Sequence, residues 1–441
     1  RATATSTTRP CFVASNGSRE LPNASWSTAA PTDLEVKFPT NADNSRTDAR
    51  SSTWNPPLVG NLMAERGHAT RAVLAPDKFK GSLTAAEVAE ALAAGMVDVL
   101  PHLETITLPV ADGGDGTVAA ALSAGFDKII VNAVGPTGEP VQAPYALHGD
   151  RAVVELAAVV GLSMLPSGRL DPLASHTYGL GLVIADAIRR GATTIVLGLG
   201  GSASTDGGAA MVQALGARLL DSRGRDLSPG GGRLAGLARL NLEPLRAALG
   251  GVTIIVASDV DNPLLGPNGA AAVFGPQKGA GPEELERLEQ GLQHWSTIVS
   301  EATGRDDAVR AGAGAAGGTG FAALALLNAE IRPGIELILD LIDFDRRVIG
   351  ADLVVTGEGS LDEQSLAGKA PVGVARAAAG AGVRVVAVAG RLQLSAAQLR
   401  EAGIAAAYPL TDLEPDLNRC IANASPLLRR MGAQIAKDWL T

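Results

Sequence analysis

The sequence predicts an α/β protein of two domains, one built on a parallel sheet and the other on a mixed sheet. From Arg71 onward short apolar strands alternate with helical stretches, the pattern of a parallel sheet with helical crossovers. The alternation breaks between Lys128 and Glu155. There Ile129–Val131, Val141–Ala143 and Ala152–Glu155 are separated only by Gly135-Pro136-Thr137-Gly138 and His148-Gly149-Asp150, a spacing that fits antiparallel strands. In addition, strands open directly into loops crowded with Asp, Lys, Gly and Ser. Loops after the strands of a parallel sheet share one edge, and ligands bind there.

Residues 1–62 begin with Arg1, are rich in Ser, Thr, Pro and Asn, and hold no helical or strand period. Such a stretch buries too little apolar surface to offset its ordering entropy. Asp33, Glu35, Asp43 and Asp48 count against an acid-poor organelle presequence, so residues 1–68 are expected to be a disordered extension with Met63 as the start. The strand Arg71–Ala75 delivers Pro76-Asp77-Lys78-Phe79-Lys80-Gly81-Ser82. A helix over Thr84–Leu100 follows, with Ser82 or Thr84 as its cap, Glu87 three residues after Thr84, and Pro101 at its end. The strand Glu104–Val110 then delivers Ala111-Asp112-Gly113-Gly114-Asp115-Gly116-Thr117. The expected domains are 69–130 with 305–441, interrupted by 131–304. Within the insert we expect a helix over Leu173–Arg190, strands at Thr194–Leu197 and Val252–Ala257, and a helix Pro282–Thr303 that carries the chain back. Strands at Asp352–Val355 and Val383–Ala389 complete the first sheet.

Composition narrows the function. The 441 residues are 46% apolar but only 3% aromatic, so Ala, Val and Leu must fill the core. A net charge of −9 with scattered basic residues argues against nucleic acid or an anionic membrane as partner. No apolar run approaches the ~20 residues of a membrane helix. Cys11 and Cys420 form neither a disulfide framework nor a metal-ligand spacing, which points to a reducing, cytoplasmic setting. The five His residues form no zinc pattern, with His176 read as helix surface or core, and neither G-x-S-x-G nor a Walker A spacing occurs.

The chemistry therefore falls to the strand-end loops. Asp77, Asp112 and Asp115 are carboxylates suited to Mg²⁺ or to a hydroxyl proton, Lys80 to phosphate charge, and Ser82 to a phosphate oxygen. Gly198-Leu199-Gly200-Gly201-Ser202-Ala203 follows a strand and matches G-x-G-x-x-A, with Asp221 where a ribose-binding acid would sit. A dinucleotide site would, however, put Gly207 and Gly208 in the first helical turn, at a cost of about 1 kcal/mol each relative to Ala. A loop capped by Ser204, Thr205 or Asp206, offering backbone N–H groups to an anion, fits better. Glu358 stands between two glycines after a buried strand, ahead of Asp362, Gln364, Ser365 and Lys369.

Together these blocks resemble the class I glycerate kinase family of bacteria. The matching stretches are Leu74-Ala75-Pro76-Asp77…Lys80…Ser82-Leu83, Pro109–Thr117, Gly198…Gly200-Gly201-Ser202-Ala203…Asp206-Gly207-Gly208, Asp259-Val260…Asn262-Pro263-Leu264, Phe274–Ala280, Gly312–Gly318 and Thr356-Gly357-Glu358-Gly359…Asp362…Gln364-Ser365…Gly368-Lys369. They are collinear over residues 70–441. The resemblance implies a discontinuous flavodoxin-like domain interrupted by a restriction-enzyme-like one, and phosphorylation of D-glycerate by ATP to 2-phosphoglycerate in an interdomain cleft. On this reading Asp77, Lys80, Asp112, Asp115 and Glu358 are the catalytic set. Ser82, Gly200, Gly201, Ser202, Asp206, Lys278 and Lys369 bind substrate or phosphate, and Asp112, Asp115 and Glu358 hold Mg²⁺. Lys78 and Asp261 depart from the family's pattern and receive no catalytic role. D-glycerate and ATP are the expected partners, with a homodimer admitted as an assembly. A dinucleotide-dependent oxidoreductase and a non-catalytic hydroxy-acid-binding protein are the alternatives.

Overall fold

The computed structural model describes residues 69–165, 169–366 and 368–441. The expectations for residues 1–68 and Met63 lie outside them. The described chain begins with β1 (Arg71–Pro76), whose last five residues are buried, and reaches β2 (Glu104–Thr107) through the helix Ala85–Val99. Thr84 caps that helix as expected: its Oγ1 accepts from the N–H of Glu87 at 3.3 Å, and the Glu87 carboxylate accepts from the N–H of Thr84 at 2.8 Å. The chain then forms β3 (Asp127–Val134), β4 (Pro140–His148), β5 (Arg151–Glu155) and β6 (Thr194–Gly198). A two-stranded ribbon, β7 (Arg218–Leu220) and β8 (Arg239–Asn241), precedes β9 (Thr253–Ala257) and β10 (Glu330–Arg332). It closes with β11 (Leu353–Leu361), β12 (Val385–Leu392) and β13 (Ala406–Pro409).

The first sheet has the order β13-β12-β11-β1-β2 and is parallel throughout. Counted within the sheet this is the order 2-1-3-4-5, the doubly wound arrangement in which the chain reverses direction beside β1. A crevice therefore opens between the carboxyl ends of β1 and β11. The second sheet, β10-β9-β6-β5-β4-β3, pairs β3 with β4 and β4 with β5 antiparallel, and its remaining strands run parallel.

Two expectations shift. The chain does not leave the second sheet at 304, because β10 still pairs with β9 and the helix Pro282–Thr303 buries Leu288, Leu292 and Trp295 in that sheet's core. These three residues share one helical face, and only the second core covers it. The helix expected from Leu173 starts at Tyr178, since the Asp206 carboxylate takes both the N–H and the hydroxyl of Thr177, at 2.9 and 2.8 Å.

The helices Thr117–Ser123 and Gly334–Leu341 are shared by the two sheets. Their Ala120, Ile335 and Ile338 belong to the core of the first sheet, while Val118, Ala121 and Leu337 pack against Val153, Val196 and Ala257 of the second. On the far face of the first sheet the helices Ala85–Val99 and Ala424–Trp439 cross backbone to backbone. A Cβ on Gly95 would overlap the carbonyl oxygen of Arg429, and one on Gly432 the carbonyl oxygen of Leu92. Gly95→Leu should therefore cost ~3 kcal/mol or more, the upper end for overpacking, because backbone rather than a side chain must move. Urea denaturation checks this: an unchanged midpoint would mean that the helices are not held at this separation.

Candidate active site

The carboxyl ends of β1, β2, β11, β12 and β13 open into a cavity of about 640 Å³, closed on one side by Gly200 and Gly201 after β6. Of the residues singled out from sequence, it gathers Asp77, Lys80, Ser82, Asp112, Asp115, Gly200, Gly201, Glu358 and Lys369. Side chains as far apart in the chain as Asp77 and Lys369 thus meet at the expected sheet edge.

Asp77 follows β1 directly and is only 6% exposed. Its Oδ1 accepts from the backbone N–H of Lys78 at 2.6 Å and lies 3.6 Å from the Lys78 ammonium. Burial pushes its pKa up to about 6, opposed by Lys78 and reinforced by Asp112. Burial works against the charge on Lys78 as well, but Asp77, Asp112 and Asp115 outweigh it and hold its pKa above the ordinary value. Lys78, given no role from sequence, is thus the half-buried cation of the loop. Phe79 turns into the core and Lys80 is exposed.

Glu358 is not in a loop. β11 runs on to Leu361, and its pairing with β1 stops at Gly357 opposite Pro76, whereas Glu358 still pairs with Ala389 of β12. Glu358 therefore stands where β1 and β11 part. Its Oε1 is buried and has no hydrogen-bond partner among the described residues. Burial pushes the carboxyl up to about 7, against the Ser365 hydroxyl and Lys369. Lys369 donates to the Gln364 side chain at 3.4 Å.

The Asp112–Thr117 loop is fixed by the second sheet. Glu155, at the end of β5, accepts from the N–H groups of Gly116 and Val118 at 3.2 and 3.1 Å. A Cβ on Gly113 would come within 2.8 Å of the Ala257 carbonyl oxygen, and one on Gly198 within 2.7 Å of the Gly113 carbonyl oxygen. Gly200 faces Gly114 so closely that a Cβ would overlap the Gly114 Cα. The close approach belongs to Gly200 rather than to Gly201, whose φ of +74° is what calls for glycine there.

Ser202, Asp206 and Lys278 are not brought to the cavity. Lys278 is 2% exposed, and its ammonium donates to Ser202 Oγ at 3.2 Å and to the Ser204 carbonyl at 2.5 Å. Burial lowers its pKa to about 7, with Asp206 opposing. Asp206 is fully buried and accepts from Thr177, from Gly208 N–H and from Ala210 N–H in the first turn of the helix Ala209–Ala214, whose N-cap is Gly208. Gly207 and Gly208, at φ of +62° and +70°, keep that helix from starting near Gly200, so the end of β6 carries no dinucleotide-type helix. These three residues shape the wall from behind: the short side chains of Ser202 and Asp206 bond locally rather than project, and the buried Lys278 ammonium is taken up by Ser202 and the Ser204 carbonyl. Among the described residues no group of three or more His, Cys, Asp or Glu side chains is placed to hold a metal. Asp112, Asp115 and Glu358 therefore do not form a preorganised cage. Besides Lys78, the sequence reading missed Glu155, Arg391 and an apolar wall formed by Leu410, Leu417 and Ile421.

Comparison with known proteins places the chain among its relatives. The model of the Glycerate kinase family matches residues 72–440. A glycerate kinase of Bacillus subtilis is 43% identical over 367 residues, covering 82% of this chain and 96% of the relative. Glycerate 2-kinase of Escherichia coli is 40% identical over 368 residues, covering 82% and 96%. The crystal structure named for glycerate kinase 2 from Salmonella typhimurium LT2 superposes with a TM-score of 0.74 at 41% identity, covering 84% of this chain and 98% of that one.

Gly200→Val should force the Gly114 backbone away and lower kcat at least ~100-fold, since misplacing a positioned loop by about 1 Å is enough for such a loss. Wild-type kcat in this variant would refute the contact. Glu358 makes a second, opposite kind of prediction. Its folded pKa lies above the unfolded value of 4.5, so the folded state holds the proton more tightly. Stability is then lost as pH rises from about 4.5 through about 7, and the full cost applies above that. Glu358→Gln should melt above the wild type at pH 8.5 and level with it near pH 4; equal melting temperatures at pH 8.5 would show an unstrained carboxylate.

Proposed function

The chain belongs to the glycerate kinase family and is a kinase, and we propose that it phosphorylates D-glycerate with ATP to 2-phosphoglycerate in the cavity between β1 and β11. The name of the Escherichia coli relative supports the position of the new phosphate. The observation that carries the reading is Glu358: a half-buried carboxyl pushed up to about 7, its buried Oε1 without a hydrogen-bond partner among the described residues, lining a cavity that also holds Lys80, Asp112 and Asp115. A base poised near neutrality is what a poorly acidic hydroxyl requires. Asp77 serves less well, because its Oδ1 is already engaged by Lys78.

In the proposed step the 2-hydroxyl oxygen of glycerate bonds to the γ-phosphorus while the bond from that phosphorus to the bridging oxygen breaks. ADP leaves with the electron pair, and the hydroxyl proton passes to Glu358. Lys80 offsets charge on the transferred group, and Lys369 with Arg391 offers cations to the substrate carboxylate. Asp112 and Asp115 suit Mg²⁺ in the mode in which one or two carboxylates and the nucleotide phosphates share the ion. Magnesium bound there would neutralise phosphate charge. Lys78 lies among three carboxylates and keeps them close together without mutual repulsion. A cytoplasmic setting is part of the same proposal, and the buried free thiol of Cys420 suits a reducing compartment.

Phosphorus NMR of the product from ATP and D-glycerate tests the reaction, and the 2-phosphate resonance is expected; ADP formation without any glycerate ester would refute it. Lys80→Ala and Asp112→Asn should each cost at least ~100-fold in kcat with nearly unchanged melting. Glu358→Gln should lose a comparable factor together with the acidic limb of kcat/KM near pH 7. Retention of that limb would transfer the role of base to another group.

A further inference from the structure

The cavity changes character along the sheet edge. Its polar loops come off β1, β2 and β11, while its far end, beyond β12, is apolar. There the buried Leu410 follows β13, and Leu417 and Ile421 of the short helix Leu417–Ala422 present their side chains, 46% and 44% exposed. These two lie four residues apart on one helical face. Two large apolar side chains left open at the mouth of a polar cavity imply an occupant with an apolar face. The helix is joined to the phosphate side of the cavity, since Ser82 Oγ donates to the Ile421 carbonyl at 2.8 Å. From β1 to β13 there are three strand spacings, about 14 Å at ~4.8 Å each. The ligand that matches this axis is long, polyanionic at one end and flat and apolar at the other.

We propose that Leu417 and Ile421, with Leu410 beneath them, form the nucleobase subsite, so that a nucleoside triphosphate lies along the sheet edge with its base at β13 and its phosphates at β1 and β11. This rests on the kinase reading above and adds to it the orientation of the nucleotide and its selectivity. Among the described residues the hydroxyl beside that wall is that of Ser82, already donated to the Ile421 carbonyl, and the wall itself is Leu410, Leu417, Cys420, Ile421 and Ala424, so the base is held by burial rather than by hydrogen bonds from side chains. Selection among purines is correspondingly weak.

Isothermal titration with ADP and, separately, with inorganic tripolyphosphate decides it. Leu417→Asp and Ile421→Ser should weaken ADP at least 10-fold while leaving tripolyphosphate within 2-fold, and GDP should bind the wild type within about 5-fold of ADP. In turnover, KM for ATP should rise with KM for D-glycerate unchanged. Melting curves identify a variant that fails to fold, and the other substitution then decides. Unchanged ADP affinity, an equal loss for ADP and tripolyphosphate, or failure of the wild type to bind ADP would each overturn the subsite. A change in sedimentation coefficient with ADP affinity intact would assign the wall to a second copy of the chain and overturn it too. Wild-type ADP binding with the expected losses but no phosphorylation of D-glycerate would instead refute the proposed substrate and leave the subsite standing.

Discussion

The site depends on one contact, the backbone of the Asp112–Gly114 loop pressed into the carboxyl ends of the second sheet. Gly113 lies against Ala257 and Gly198, Gly114 lies against Gly200, and a side chain on Gly334 would overlap the Asp112 carbonyl oxygen. Contacts this close leave no room for a Cβ, which is why glycine occurs on both sides of the seam. Asp259 completes the clamp by accepting from Gly334 N–H at 3.0 Å. A loop with several glycines would by itself be mobile and entropically costly to order. Held between β6, β9 and Glu155, it instead presents Asp112 and Asp115 to the cavity at fixed positions. The second sheet thus contributes few reactive side chains but sets where the reactive ones stand.

That rigidity lets the protein hold charges that would otherwise destabilise it. Asp77 is buried and Glu358 half-buried, and burial raises both carboxyls toward neutrality. An unpaired buried carboxylate costs folding energy, and Glu358 carries an oxygen with no partner in the described structure. Sites that retain such strain are commonly those where the group must react, and stability given up there is recovered by packing elsewhere. The two helices shared by the sheets and the close crossing of Ala85–Val99 with Ala424–Trp439 supply that packing. Lys78 shows the same logic from the other side, because its ammonium makes three neighbouring acids tolerable.

Much of this was legible in the sequence. Strand-then-loop spacing located Asp77, Asp112 and Asp115 on one edge, and the capping residues Thr84 and Glu87 marked the first helix. Gly207 and Gly208 correctly argued against a dinucleotide helix. What failed had a common cause: residue type says little about which way a side chain turns. Ser202, Asp206 and Lys278 carry the chemistry of a binding site, yet behind the wall Lys278 bonds to Ser202 and the Ser204 carbonyl, and Asp206 bonds to Thr177 and to backbone N–H groups. Lys78 was set aside beside Lys80, although Lys78 is the one drawn among the carboxylates. Glu358 was placed in a loop because glycines flank it, but Gly357 lies against the Val388 carbonyl and Gly390 of β12 against the Gly359 carbonyl, so the two strands stay together and β11 runs on. The domain return near 304 was misplaced because a polar-faced helix suggests a linker until its buried face finds a core.

The shared layer also bears on how the cavity can exclude water. An interface built from side chains that belong to both cores resists sliding or hinging, unlike the polar interfaces across which domains ordinarily move. Val118 and Ala121 face one sheet while Ala120 of the same helix faces the other, so rotation of the lobes would break both cores together. Closure over bound substrates then falls to elements with less to lose. The six-residue helix Leu417–Ala422 is such an element: of its residues only Cys420 is buried, and the Ser82 hydroxyl ties it to the loop after β1. Apolar ligand surface laid against Leu417 and Ile421 would supply the contacts this helix lacks, and would draw it toward the loop that carries Asp77 and Lys80. Burial of the ligand and protection of the transferred group from water would then be the same event.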